Sequence, residues 1–198
     1  MYKNRFWIFQ KVLDEKTCDK IIQAGLAEKK QKAKIGKKNS INKKIRTSKV
    51  VWLEHQWLYD LIFQFANIGN INAQWNFKYD WAEPCQFTSY EKNNFYGWHC
   101  DSLSEPYSID HKFENFRGKN RKLSMSICLS DKKDFTGGDF QFDFRDRSDG
   151  KPNIKTIKEI KEKGSILIFP SNLFHRITPV KKGTRYSLVS WFLGEPFR

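Results

Sequence analysis

Four histidines occur among the 198 residues, His55, His99, His111 and His175, and two of them sit where metal chemistry can be built. His99-Cys100-Asp101 is an H-x-D closing an extended run. Alternation along a strand sends His99 and Asp101 to one side and Cys100 to the other. Two ligands from one strand end fill adjacent corners of a coordination shell, so a third has to come from elsewhere. His175 is the candidate, following the apolar run Ser165-Ile166-Leu167-Ile168-Phe169-Pro170. Two imidazoles and one carboxylate on one face, with the remaining positions open, are a ligand set suited to Fe(II) and oxygen chemistry. Alone, H-x-D is a common tripeptide, and a lone His175 reads equally well as a strand-end histidine.

A basic residue makes the combination more specific. Arg185 lies ten residues after His175, within Gly183-Thr184-Arg185-Tyr186-Ser187. If the two occupy adjacent antiparallel strands joined by a Lys181-Lys182-Gly183 turn, both side chains reach the interior. A buried guanidinium needs an anionic partner, and a carboxylate ligand gripped in bidentate fashion satisfies it.

These residues need short strands to carry them, and the second half of the sequence supplies those. Cys85 to Glu91, Arg121 to Ser130, Gly138 to Phe144, Ser165 to Pro170 and Thr184 to Leu193 carry β-rich or alternating runs. Gly137-Gly138, Asp149-Gly150, Lys163-Gly164 and Lys182-Gly183 punctuate them. Such a series indicates an all-β barrel or double-sheet roll. The polar stretch Ser102 to Asn120 reads as a long loop, a kind that often carries function. Upstream, a helix capped by Asp14 or Thr17 runs through Cys18, Ile21, Ile22 and Leu26. A second spans Glu54 to Ala66, with Trp57, Leu58, Leu61, Ile62 and Phe65 as its packing stripe. Arg46 to Leu53 reads as a strand. His55, opening the second helix, and His111, in the long loop, read as surface residues.

Composition bounds the rest. Aromatics make up 16% of residues, which argues for a packed core and against disorder. No apolar run approaches the length of a membrane span, and the N-terminus lacks the apolar core and small-residue cleavage site of a secretory signal. Cys18, Cys85, Cys100 and Cys128 form no CxxC pair. Reduced thiols in a cytoplasmic setting are therefore the expectation. The formal charge is +14. Ten Lys/Arg and no Asp or Glu fall between Lys29 and Lys49, so the protein without that segment carries +4. The charge is mainly local to one basic insertion, which either meets an acidic partner or stays solvated.

From Pro84 to Leu193 the sequence resembles the 2-oxoglutarate/Fe(II)-dependent oxygenases, in particular their prolyl 4-hydroxylase-like branch. The matching residues are Tyr90, Tyr96, His99, Asp101, Arg121, Gly137-Gly138, Gly164, Phe169-Pro170, His175, Val180, Gly183, Arg185 and Trp191. Leu13 to Cys18 ahead of the first helix and Arg46-Thr47-Ser48 after it also resemble that branch. Asn93 stands where the branch has Gly, and Phe140 replaces a Thr that hydrogen-bonds the co-substrate in some members.

The resemblance implies a mainly β, double-stranded β-helix (jelly-roll) fold with supporting N-terminal helices. It implies a single domain over residues 1–198, with helical support and the basic insertion 29–49 in residues 1–83 and the jelly-roll core in 84–198. It implies Fe(II) on His99, Asp101 and His175. It implies 2-oxoglutarate bridged through its distal carboxylate to Arg185, with Ser187 adding a hydrogen bond and Tyr90 reaching the co-substrate. Trp191 would line the substrate side, and the Ser102 to Asn120 loop would cover it. O2 is the oxidant, and ascorbate an optional accessory. The implied activity is hydroxylation of a peptide or protein substrate, most naturally at proline. Action on a nucleic acid or small molecule is the alternative. The nucleic-acid branch, however, carries a second Arg and an Asn that Arg185-Tyr186-Ser187-Leu188-Val189-Ser190 lacks. A non-catalytic jelly-roll binding module stands third, since it would have no use for the triad together with Arg185.

Overall fold

The computed structural model describes residues 3–28, 31–32 and 45–196, so the basic insertion lies largely outside the described residues. The first half of the sequence forms β1 (Trp7–Phe9), α1 (Glu15–Ala27), β2 (Gln31–Lys32), β3 (Lys49–Leu53), α2 (Gln56–Asn72) and β4 (Trp81–Ala82). The second half adds β5 (Cys85–Tyr90), β6 (Tyr96–His99), β7 (Asn120–Cys128), β8 (Phe135–Gly137) and β9 (Phe140–Asp143). It then adds β10 (Ile154–Ile157), β11 (Ile166–Pro170), β12 (Phe174–Ile177), β13 (Val180–Gly183) and β14 (Arg185–Gly194).

All pairings are antiparallel. The major sheet runs β1-β11-β7-β14-β5-β3-β2, with β4 paired to the end of β14. The minor sheet runs β10-β9-β12-β6, and β13 pairs β8 alongside. The two sheets face each other as a double-stranded β-helix, and the helices cover the outer face of the major sheet. β5 and β11 are therefore buried along their whole length, which is why their sequences show an apolar or small run rather than alternation. One core lies between helices and major sheet, around Cys18, Ile21, Leu58, Ile62, Phe87 and Leu188. The other lies inside the roll, around Phe140, Phe142, Phe169 and Ile177. β9 alternates as a half-buried strand should, Phe140 and Phe142 inward and Gln141 and Asp143 outward.

Asp14 caps α1, its carboxylate accepting from the Thr17 amide at 2.7 Å. The buried residue at the far end of that helix is Gly25, whereas Leu26 is exposed. A Cβ on Gly25 would run into the Phe87 ring, so the glycine lets the helix approach β5. The second helix continues six residues beyond Ala66, through a segment rich in Asn and Gly. Its Asn70 side chain donates to the Phe77 carbonyl and accepts from the Phe77 amide. That tertiary clasp outweighs the turn-forming composition. The strand before α2 starts at Lys49, and Arg46 instead makes an isolated bridge to Tyr96.

His175 and Arg185 do not lie on adjacent strands of one sheet. His175 is on β12 of the minor sheet and Arg185 on β14 of the major sheet. Lys181-Lys182-Gly183 belongs to β13, which pairs β8 as the backbone passes between the sheets. Ser102 to Asn120 is a loop with a short 3-10 turn, Glu114–Phe116, packed by its own aromatics and by Trp81 against Phe116. Among the described residues no helix is long and apolar enough to cross a membrane.

Replacing Gly25 with Ala forces the Phe87 ring to move. The expected cost is about 1–3 kcal/mol of unfolding free energy, read from a urea titration, with the metal-site geometry unaltered.

Candidate active site

β6 ends on His99, and the backbone then bends so that Asp101 follows outside the strand. The amides of Asp101 and Ser102 both donate to the Ser171 carbonyl, at 2.9 and 2.8 Å, which pins the bend against the β11–β12 connection. Cys100 points outward, its thiol donating to the Asn172 carbonyl at 3.2 Å. β12 pairs β6 with His175 opposite His99, and the three side chains meet. Nε2 of His99 lies 3.5 Å from one Asp101 carboxylate oxygen, and Nε2 of His175 lies 3.5 Å from the other. One ligand atom from each residue lies within 4.8 Å of the others.

Each ring is oriented from behind. Nδ1 of His99 is 2.8 Å from the Gly97 carbonyl and Nδ1 of His175 is 2.9 Å from the Leu173 carbonyl. A carbonyl only accepts, so both Nδ1 atoms carry the proton and both Nε2 lone pairs face Asp101. Burial, reinforced by neighbouring His99, pushes the His175 pKa down to about 4, so its ring is neutral near pH 7. Burial would raise Asp101, but His175, His99 and Arg121 outweigh it and hold the carboxyl well below the usual range. In that tautomer Nε2 of each imidazole and the Asp101 carboxylate converge on one point. That donor set fits a divalent cation, and two imidazoles with one carboxylate fit Fe(II).

Aromatic rings wall the triad. Tyr96 stacks on His99 with ring centroids 3.6 Å apart, and Phe140 lies parallel to His175 at 5.4 Å. Burial pushes the Tyr96 phenol up to about 12.

Arg185 enters the same cavity from the opposite sheet, opposite Tyr90 in the β14–β5 register. It is 2% exposed. Its Nη1 donates to Ser187 Oγ at 3.0 Å, and its guanidinium carbon lies 5.5 Å from the centre of the Tyr90 ring. Among the described residues no carboxylate lies within pairing distance of it. Gly137 and Gly138 both adopt left-handed backbone. A Cβ on Gly138 would stand 3.1 Å from Arg185 Cδ, so the Gly-Gly turn leaves room for the side chain. A buried cation without a counter-ion is a site for a carboxylate.

Trp191 lines the cavity, and its indole N–H is buried without an acceptor among the described residues. Arg121 lies 4.1 Å over its ring and grips Glu83 with two bonds of 2.6 Å. Tyr107 of the long loop donates to the same Glu83 carboxylate at 3.1 Å, tying the loop to this wall. Glu83 and Arg46, which also lines the cavity, are the two charged residues that sequence reasoning missed. Glu83 precedes β5 where an acidic residue reads as surface, and only the fold shows it buried. Arg46 is visible in the sequence only as part of Arg46-Thr47-Ser48. His55 and His111 sit away from the triad, the first stacked on Trp57 and the second tilted against Phe116. A separate cleft between Asp19, Asp131 and Lys163 shares none of these residues.

Comparison with known proteins gives a consistent picture. The family described as the 2OG-Fe(II) oxygenase superfamily matches residues 85–193. A PKHD-type hydroxylase of Alteromonas mediterranea is 30% identical over 110 residues, covering 54% of this chain and 42% of that protein. One from Xylella fastidiosa is 29% identical over 110 residues, covering 54% and 43%. The chain therefore matches less than half the length of these relatives. Among solved structures, a Pseudomonas putida prolyl-4-hydroxylase superposes with TM-score 0.66 at 17% identity, over 96% of this chain and 92% of that one. A viral collagen prolyl hydroxylase from Paramecium bursaria Chlorella virus-1, solved as a 2OG complex, gives 0.66 at 18% identity over 97% of each. Likeness at that identity establishes the double-stranded β-helix fold.

Two outcomes follow from the triad. Asp101→Ala or His175→Ala lowers the affinity for Mn(II), measured by calorimetry, by a hundredfold or more. In the metal-free protein the His175 ring resonances stay flat from pH 8 to pH 5, because its proton is taken up only near pH 4. A transition centred near pH 6.5 contradicts this.

Proposed function

Since the chain belongs to the 2OG-Fe(II) oxygenase superfamily, we propose that it hydroxylates a peptidyl residue, with proline the first candidate. In this reading Fe(II) is held by His99, Asp101 and His175, and 2-oxoglutarate is anchored by Arg185. The observation that carries it is the shared cavity: three converging ligand atoms on one wall, and on the other a buried guanidinium that has, among the described residues, no carboxylate beside it. A metal-free binding module would leave that guanidinium without an anion, at a cost of several kcal/mol.

When bound, the metal and 2-oxoglutarate supply the oxidising chemistry, consuming O2 and releasing succinate and CO2. The protein's own residues do the rest. Arg185 fixes the distal carboxylate of the co-substrate through its planar fork, with Ser187 Oγ setting the angle of the guanidinium. Tyr90 closes that end of the cavity. The indole N–H of Trp191, buried and unsatisfied, is available to a carbonyl of the incoming peptide. The Glu83 pair holds Arg121 beneath the indole ring, which keeps it from rotating away. Through Tyr107 the same Glu83 ties the Ser102–Asn120 loop to the Arg121 and Trp191 wall.

The peptide assignment is supported by PKHD-type hydroxylases among the relatives. It is also supported by a prolyl hydroxylase from Trichoplax adhaerens, of similar fold at TM-score 0.67 and 16% identity over 96% of this chain and 84% of that one. That protein was solved with a fragment of the hypoxia inducible factor oxygen degradation domain.

With Fe(II) and 2-oxoglutarate the protein is expected to form succinate, and His99→Ala to abolish it. Arg185→Gln should raise the dissociation constant for 2-oxoglutarate about a hundredfold or more, as loss of one partner of a buried pair costs about 3–5 kcal/mol. Proline-containing peptides should gain one oxygen by mass spectrometry. Repair of alkylated oligonucleotides in place of peptide oxidation would overturn the substrate assignment. Glu83→Gln, which loosens Arg121 and Trp191, should raise KM for peptide more than it lowers kcat.

A further inference from the structure

The proposed reaction uses one of two buried guanidiniums in the cavity; Arg46 is the other. It is 5% exposed and lines the same cavity as the triad. Its backbone bridges to Tyr96, and its guanidinium carbon lies 4.5 Å from the centre of the Tyr96 ring. Nε donates to Ser48 Oγ at 2.7 Å and Nη1 to Gln86 Oε1 at 3.3 Å. Each of these partners is neutral, neither bond uses Nη2, and among the described residues no carboxylate lies within pairing distance. Gln86 is itself held by its bond to Thr88, so the guanidinium is oriented by a fixed neighbour.

Arg46 is placed apart from Arg185. In the β5–β14 ladder Tyr90 stands opposite Arg185, and Gln86 stands opposite Val189. Those two pairs are separated by four residues of strand, about 13 Å at ~3.3 Å per residue. Arg185 therefore occupies one end of the cavity, while Arg46 occupies the other, the end where Trp191 lies. Tyr96, stacked on His99, sets Arg46 on the triad's flank.

Charge bookkeeping separates their roles. Two guanidiniums and the Asp101 carboxylate are the charged groups lining the cavity. A divalent cation adds two positive charges and a dianionic co-substrate cancels two, so one positive charge stays uncompensated at the Trp191 end. A buried cation of that kind is completed by an anion.

We propose that Arg46 is a carboxylate-recognition residue for the substrate. The inference rests on the hydroxylase reading and sharpens it. The preferred substrate carries a carboxylate beside the reacting residue, from a neighbouring Asp or Glu side chain or from the C-terminus of a peptide. Nη2, with Nη1 beside it, presents the fork that a carboxylate accepts.

The test compares matched acids and amides on protein loaded with Fe(II) and 2-oxoglutarate, with oxygen excluded, by isothermal titration calorimetry. The pairs are N-acetyl-L-proline and its amide, N-acetyl-L-leucine and its amide, and the amidated dipeptides N-acetyl-Asp-Pro and N-acetyl-Asn-Pro. At least one acid is expected to bind tenfold or more tightly than its partner. Arg46→Gln should erase that difference and Arg46→Lys should keep part of it. Which pair shows the preference tells a terminal carboxylate from a side-chain one. Equal binding of acids and amides, no measurable binding of any acid, or a preference that survives Arg46→Gln overturns the proposal. The wild-type comparison needs no variant, so equal binding there overturns the proposal even if Arg46→Gln fails to fold, and a partial preference in Arg46→Lys then carries the assignment to Arg46. Failure of the prolyl reading shows differently. If an Arg46-dependent acid preference appears, yet no proline ligand gains oxygen once O2 is admitted, the carboxylate site stands and the prolyl substrate does not.

Discussion

His175 stands opposite His99 across the β12–β6 pair, and the rest of the site depends on that register. A slip of one residue would turn His175 to the outer face and bring Phe174 or Arg176 inward, leaving Asp101 with a single imidazole. Several features guard the pairing. Phe140 and Phe142 of the next strand pack around His175 from within the roll. The Gly97 and Leu173 carbonyls hold both Nδ1 protons, and the Ser171 carbonyl takes the amides of Asp101 and Ser102. The ligand geometry is thus built from main-chain groups of two short strands and one bend, within a core that tolerates little displacement.

Electrostatics complements that geometry. The triad presents acceptors only, and the cavity walls present two guanidiniums without acidic partners. The pocket therefore carries excess positive charge and lone pairs aimed at a cation. A metal ion satisfies the lone pairs and a dianion matches the charge that the metal brings, which leaves one guanidinium for a further anion. The cost of holding Arg46 and Arg185 uncompensated falls on the folded protein, offset by the two apolar cores that flank the major sheet. Arg121 shows the opposite arrangement: its charge is matched by Glu83, and it serves as a fixed wall rather than a docking point.

Much of this is legible in the sequence, and what is not has physical reasons. β5, β7, β11 and β14 are apolar or β-branched runs bounded by turns, and the pattern predicts each within a residue or two of its observed ends. His99, Asp101, His175 and Arg185 stand out in the sequence by type and spacing, and the fold brings all four to one cavity. The two strands that carry the histidines are harder: Tyr96-Gly97-Trp98-His99 and Phe174-His175-Arg176-Ile177 are four residues each, too short for periodicity to show. β1 pairs β11 across most of the sequence, and such non-local pairing leaves no local mark. For the same reason spacing puts His175 and Arg185 on neighbouring strands, when they face each other across the roll. Glu83 and Arg46 escape because charged residues read as surface until the fold buries them. The extension of α2 past Ala66 escapes because Asn70 stabilises it through Phe77 rather than through helix propensity.

The most direct measurement is a crystal structure of the protein soaked with Mn(II) and 2-oxoglutarate in the absence of oxygen. The account predicts density for one metal ion bound to Nε2 of His99, Nε2 of His175 and the Asp101 carboxylate. It also predicts the distal carboxylate of the co-substrate on Arg185, with Arg46 free of it. Metal bound elsewhere, or the co-substrate carboxylate seated on Arg46 while Arg185 keeps only Ser187, would contradict it.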